Sequence, residues 1–274
     1  MAAITDLSNV VNLATSSAAQ RVDFSVDSRI QAAAAVSPVI GQATSLWRYN
    51  KTNGANGAIP TSVAAPDRTT LGAMRQVNAA SGKQLWLLGM EAMCTNAGGV
   101  VLYDRLLHIG GLSGIVTTAQ AVGGALTRNV GGDGNQIWIE IYTAIGTTAT
   151  TITASYTNQA GAAKTTLPVV FGGTNNREES RVIRLPLADG DTGVQGVTSV
   201  TVLATTGTAG NFGVVVARQI GRGYIEGPGC AMFRDFITSG SIPLIPDDAC
   251  LALVWQAAAT AAPKLDFAIN MVEK

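Results

Sequence analysis

From Lys83 to the end of the chain, hydrophobicity alternates at every second residue in short runs, and glycine-rich segments separate the runs. That pattern restricts the chain to a β architecture, because alternate residues of a strand fall on opposite faces of a sheet. The clearest run is Gln136 to Tyr142, where Ile137, Ile139 and Ile141 alternate with Gln136, Trp138, Glu140 and Tyr142. Thr151 to Tyr156 repeats it, with Ile152, Ala154 and Tyr156 opposing Thr151, Thr153 and Ser155. Further strands are predicted at 84–90, 99–106, 181–185, 197–203, 212–218, 251–256 and 265–272. Glycine-rich turns stand between them at 110–114, 131–134, 172–176, 189–193 and 207–210. No predicted strand leads into a long amphipathic helix, which disfavours a doubly wound α/β fold. No fixed-period repeat marks a solenoid or propeller. The expected fold is all-β, an antiparallel β-sandwich or jelly roll spanning residues 81–274.

Residues 1–80 read differently. Asp6 is placed to cap a short helix with Leu7, Val10, Val11 and Ala14 on one face, and Asp27 or Ser28 to cap a second through Ile30 to Val36, which Pro38 limits. Residues 48–66 then hold Asn50, Asn53, Gly54, Asn56, Gly57, Pro60 and Pro66, a density of turn formers that predicts an extended or looped connection. The expectation is a mostly helical and extended N-terminal arm and linker making inter-subunit contacts. Its interaction residues would be Leu7, Val10, Val11, Ile30, Trp47 and Tyr49, apolar groups on a segment unable to build its own core. Deleting Met1 to Pro60 is then expected to leave the sandwich folded and to abolish assembly.

Charge is scarce. Asp, Glu, Lys and Arg make up 13% of the chain, about half of the roughly 25% common in soluble domains. Residues 141–163 carry no charge, and 106–127 contain only His108 as a titratable side chain. A surface made of Thr, Asn, Gln, Ser, Ala and Gly points to coverage by other copies or other proteins. The 18 basic and 18 acidic side chains cancel with no basic run, which argues against direct nucleic-acid binding. Cys94, Cys230 and Cys250 form no CxxC pair and are expected as buried free thiols. No signal peptide opens the chain and no apolar stretch reads as a membrane span, so a cytoplasmic product that joins an assembly is expected.

The inventory for chemistry is thin. His108 is the only histidine; with Asp104 and Ser113 it would make a triad only if the fold brought all three together, and no GxSxG elbow supports that. Asp189, Gly190, Asp191, Thr192, Gly193 offers oxygen ligands but lacks the twelfth-position acid of a calcium loop, so an Asp-Gly turn is expected. The doublets Glu178–Glu179 and Asp247–Asp248, and Asp235, could be proposed as glycosidase carboxylates, yet neighbours on a strand point to opposite faces. Neither phosphate-binding glycine motif occurs. Trp138, on the polar face of its strand, is the candidate sugar platform, against the commoner fate of burial. No catalytic residue, cofactor site or metal site is assigned, and a non-enzymatic role is expected.

The segments Leu102-Tyr103-Asp104-Arg105-Leu106, Gly110-Gly111-Leu112-Ser113-Gly114 and Ser155 to Gly161, with Gly190 to Gln195 and Thr206 to Gly213, resemble virion-associated structural proteins of tailed bacteriophages. The resemblance covers roughly Gln84 to Ile220. It implies a particle component, a capsid decoration or cement protein in the leading reading. The alternatives are a tail, baseplate or head-to-tail adaptor subunit, or a module that grips host glycans. The implied partners are copies of the chain, as a homo-oligomer, and other virion proteins such as the major capsid protein; the implied location is the virion, after synthesis in the host cytoplasm. No catalytic residue carries over.

Overall fold

The computed structural model describes residues 7–15, 19–25, 38–50, 56–240, 242–260 and 263–274. Its strands are β1 (Ala19–Ser25), β2 (Ala43–Ser45), β3 (Leu85–Cys94), β4 (Gly98–Leu112), β5 (Gln120–Ala121), β6 (Asn135–Thr143), β7 (Thr150–Asn158) and β8 (Ala163–Thr165). They continue as β9 (Val169–Phe171), β10 (Arg181–Leu185), β11 (Val194–Val202), β12 (Asn211–Ile225), β13 (Ala231–Asp235), β14 (Leu244–Ile245), β15 (Leu251–Ala257) and β16 (Leu265–Glu273). Two short helices accompany them, α1 (Leu7–Ala14) and α2 (Phe236–Ser239), with a 3-10 turn at Trp47–Tyr49. The antiparallel all-β class expected from the alternation is the class observed.

The hydrogen-bonding path has a closure that alternation alone does not specify. Strands β10, β2, β15, β4, β12 and β6 pair in that order and close into a barrel. A five-stranded sheet with the path β1-β16-β3-β13, to which β14 adds on β3, covers one side of it. A second five-stranded sheet, β5-β11-β7-β8 with β9 also on β7, covers another. The 15-residue strands β4 and β12 run together through both contacts. Leu102 and Ile225 pack under the first sheet, and Leu106, Leu107 and Val214 under the second. Register shifts at Val216/Ala217 and Gln219/Gly221 bend the ribbon between the two contacts.

Each face of β6 therefore meets a different interior. Ile137, Ile139 and Ile141 are all 0% exposed beneath the second sheet. Trp138, Glu140 and Tyr142 are buried as well, and Trp138 joins Tyr103, Val182, Val215, Ala217, Ala252 and Val254 in a third cluster contributed by five barrel strands. The face that reads as polar in the sequence is the lining of the barrel. Closed barrels have no free edges and fill their lumen with side chains, so a strand in one is covered on both faces.

The expected boundary at residue 80 is not where the fold divides. β2 lies inside that span and is paired on both sides, to β10 and to β15, so it closes the barrel. Behind it Ala64 bridges His108, Met74 bridges Leu251, and the Gln76 side-chain amide donates to the carbonyl of Ala249. Trp47 is 1% exposed, and its indole N–H donates to the carbonyl of Ala58. Gly57 and Gly72 clasp that indole: a Cβ on either would come within 3 Å of Trp47 atoms, and Gly72 also sits at φ 94°. A stretch rich in turn formers thus becomes a wrapped plug over one end of the barrel.

N-terminal to that plug, β1 pairs with β16 along its whole length, from Ala19↔Val272 to Ser25↔Asp266, as an edge strand of the first sheet. The helix expected at Leu7 forms, whereas the one expected from Ile30 to Val36 lies outside the described residues. Cys94 and Cys250 are buried free thiols as expected, but Cys230 is exposed. Among the described residues no helix is long and apolar enough to cross a membrane.

Candidate functional site

Inside the closed end of the barrel lies a buried polar cluster. Arg105 and Glu140 are 0% and 1% exposed and form an ion pair at 2.7 Å. Arg105 also donates to the Tyr142 hydroxyl at 2.8 Å, to the Tyr103 hydroxyl at 3.4 Å and, through Nε, to Nδ1 of His108 at 2.9 Å. The Tyr142 hydroxyl in turn donates to Glu140. Trp47 lies over the guanidinium, 4.6 Å from ring centroid to Cζ, and meets His108 edge-on at 5.8 Å. A charge taken out of water holds its place only when paired and hydrogen-bonded, and this guanidinium is enclosed by acceptors and an aromatic face.

Burial is the largest influence on Arg105 and opposes its charge, but Glu140, Tyr142 and Tyr103 together outweigh it and keep the guanidinium protonated. Burial, then the Glu140 charge, pushes the Tyr142 phenol well up, and burial takes Tyr103 to about 12. His108 is driven down to about 3 by burial and by Arg105, so its ring is neutral, with Nδ1 accepting and the proton on Nε2. Arg105, His108 and the two phenols therefore keep one arrangement of protons at ordinary pH. It ties β4 to β6 through side chains and is closed off by the segment around Trp47.

The triad considered from the sequence is not assembled. His108 is engaged by Arg105, and Asp104 forms a two-pronged pair with Arg128 at 2.8 and 3.0 Å while accepting from the Cys250 amide. Both carboxylate doublets and Asp235 have structural partners. Glu179 pairs with Arg48, Glu178 with Arg177 and Asp248 with Arg68, while Asp235 caps α2 through the Thr238 amide. In the 189–193 turn, Asp191 accepts from the Tyr156 hydroxyl and the Asn158 amide. Among the described residues no three His, Cys, Asp or Glu side chains gather as a metal site. Arg181 is buried, and its guanidinium has no hydrogen-bond partner among the described residues.

The residues expected to make inter-subunit contacts are dispersed. Trp47 and Tyr49 belong to the body: Trp47 roofs the buried cluster, and Tyr49 packs in the core, where its hydroxyl accepts from Ser180. Both are corrections to the arm reading, and their cause is the pairing of β2 just before them. Val11 on α1 is 52% exposed; Leu7 and Val10 lie on the same helix, and Ile30 is outside the described residues. Trp138 is no exposed platform: it is 4% exposed beneath Arg184, whose Cζ lies 6.0 Å from its ring centroid.

A surface that sequence reasoning had not localised is the outer face of the second sheet. Along β7 the inward residues Ile152, Ala154 and Tyr156 are buried, which turns Thr151, Thr153, Ser155 and Thr157 outward. Thr153 pairs with Thr201 and Ser155 with Ser199, forming a ladder of hydroxyls. At one end Val170 stands opposite Thr151, with exposed Leu203 hydrogen-bonded to the same residue. The one Asp, Glu, Lys or Arg side chain on these five strands is Lys164, whose register partner is the inward-facing Tyr156, so it falls on the other side. This face carries no charge. The uncharged run from 141 to 163 was the signal for it, but alternation had to be combined with register to reveal one neutral plane.

No protein-family model matches the chain, and no curated protein does. Among solved structures it is similar to the VP2 subviral particle of infectious bursal disease virus at 8% identity, with 93% of this chain and 80% of that chain covered and a TM-score of 0.17. A structure of the Gx strain of the same virus gives 7% identity, the same coverage and a TM-score of 0.15. Scores this low do not correspond to a shared fold.

Proposed function

We propose that the chain is a structural subunit of a bacteriophage virion, a decoration or cement protein that stabilises the shell through contacts with copies of itself and with the major capsid protein. The observation that carries this reading is the uncharged outer face of the β5-β11-β7-β8 sheet. A protein that stays free in solution keeps charge on its surfaces, because net and local charge oppose association. A face of paired Thr and Ser, ending in exposed Val170 and Leu203, instead suits burial against another neutral surface at small desolvation cost. The segments resembling virion proteins of tailed phages include β7 itself, at Ser155 to Asn158. The role is non-enzymatic in this reading, with the buried charges serving the barrel.

Sedimentation and mass measurement of the purified chain, alone and mixed with shells lacking it, test the proposal. The expected result is stoichiometric attachment to shells, abolished in a Thr153→Glu/Ser199→Glu variant whose melting temperature stays within a few degrees of the parent. A stable oligomer that ignores shells would move the subunit to the tail, baseplate or head-to-tail connector. Monomers that bind nothing would overturn the structural role.

A further inference from the structure

The barrel has a second end, opposite the plugged one. There lie Ala43 at the start of β2, Val101 in the first part of β4, and Arg184, Arg222 and Gln256 toward the ends of β10, β12 and β15. These strand ends surround a cavity of about 240 Å³. Its walls are Ala43, Val101, Val182 and Val254, and Trp138 closes the bottom. Arg184, Arg222, Gln219 and Gln256 stand around the opening.

The charge at this rim is one-sided. Arg184 reaches only the Gln219 side-chain oxygen, at 3.5 Å, and neither arginine has a carboxylate partner among the described residues. Elsewhere in the molecule Arg21, Arg48, Arg68, Arg105, Arg128 and Arg177 each pair with an acid. Arg184 and Arg222 both line the opening, and burial, then the charge of Arg222, lowers the Arg184 pKa. Like charges on a concave, partly apolar wall focus a positive field outward, and guanidinium forks match carboxylate oxygens in pairs. The mouths of β-barrels are also recurrent places for small-molecule sites.

We propose that this open end binds a compact carboxylate-bearing molecule of single-ring size, such as a sugar acid. Its carboxylate would lie between Arg184 and Arg222, and its remaining polar groups would meet Gln219 and Gln256. Its apolar part would rest on Val101, Val182 and Val254. The volume limits the occupant, since pockets for drug-sized ligands begin at about 300 Å³. This site does not depend on the assembly reading, because it lies on the barrel end and not on the neutral sheet face.

The test is titration of the full chain with glucuronate, N-acetylneuraminate and benzoate, and with glucose and inorganic phosphate for comparison. Calorimetry would be followed together with the Trp138 indole N–H resonance, assigned through Trp138→Phe. Expected is saturable binding of at least one carboxylate that shifts the Trp138 signal, with no binding of glucose. Arg184→Gln/Arg222→Gln should weaken that binding by about tenfold or more per arginine, without lowering the melting temperature, whereas exposed Arg75→Gln should leave it unchanged. Phosphate binding as tightly as any carboxylate would overturn the carboxylate assignment. No saturable binding of the three acids, or equal binding by the double variant, would overturn the site.

Discussion

Glu140 and Arg105 show what a single charge does in a closed lumen. Replacing Glu140 with Gln leaves a guanidinium at 0% exposure without its counter-charge. The expected cost is about 3–5 kcal/mol, read as a lower urea midpoint with unchanged slope. His108 gives a pH signature at the same scale. Its folded pKa of about 3 lies below the ordinary 6.5, so the unfolded chain takes up the proton first as pH falls. Stability contributed by neutral His108 is complete above pH 6.5 and declines as pH drops from there toward 3. At pH 5 the loss should be about 2 kcal/mol relative to neutral pH. Denaturation of His108→Gln, which retains an acceptor for Arg105, should show a flatter profile between pH 7 and 5, and identical profiles would count against a buried neutral histidine.

At the scale of elements, β1 and β2 divide the N-terminal region into a dispensable part and an indispensable one. β1 is an edge strand with a single neighbour, and its Val22 packs against the core under the first sheet. Removing residues 1–37 should cost of order 2 kcal/mol, the burial of one such side chain with its ladder, and leave a folded barrel. Removing residues 1–60 also deletes β2 and Trp47, which opens the barrel between β10 and β15 and uncovers Arg105. That longer truncation should not fold, contrary to what an independent arm would allow. Circular dichroism melts of the two truncations separate these outcomes.

For the whole molecule, two sheets flank a barrel whose lumen is sealed at one end and open at the other. The arrangement separates tasks: buried ion pairs hold the barrel, one neutral sheet face is available for packing, and the arginine-rimmed mouth faces solvent. Charging the neutral face is therefore expected to change assembly and not stability. The physical reason is that outward hydroxyls such as Thr153 and Ser199 contribute little to the core that Ile152, Ala154 and Val200 build beneath them.

What the sequence determined by itself is the strand class and most of the long strands. Alternation is a local property, and Arg181 to Leu185 was bounded to the residue by it. The short strands β2, β5, β8, β9 and β14 were not legible, since two or three residues carry no period. Nor was closure, which depends on β2 meeting both β10 and β15 across more than a hundred residues of chain. Only the tertiary structure decided that the polar side of β6 faces inward, that Trp47 and Tyr49 are core, and that Arg184 and Arg222 share one rim. Those outcomes follow from which strands meet, and pairing is chosen by the burial of the whole set of faces at once rather than by any one segment.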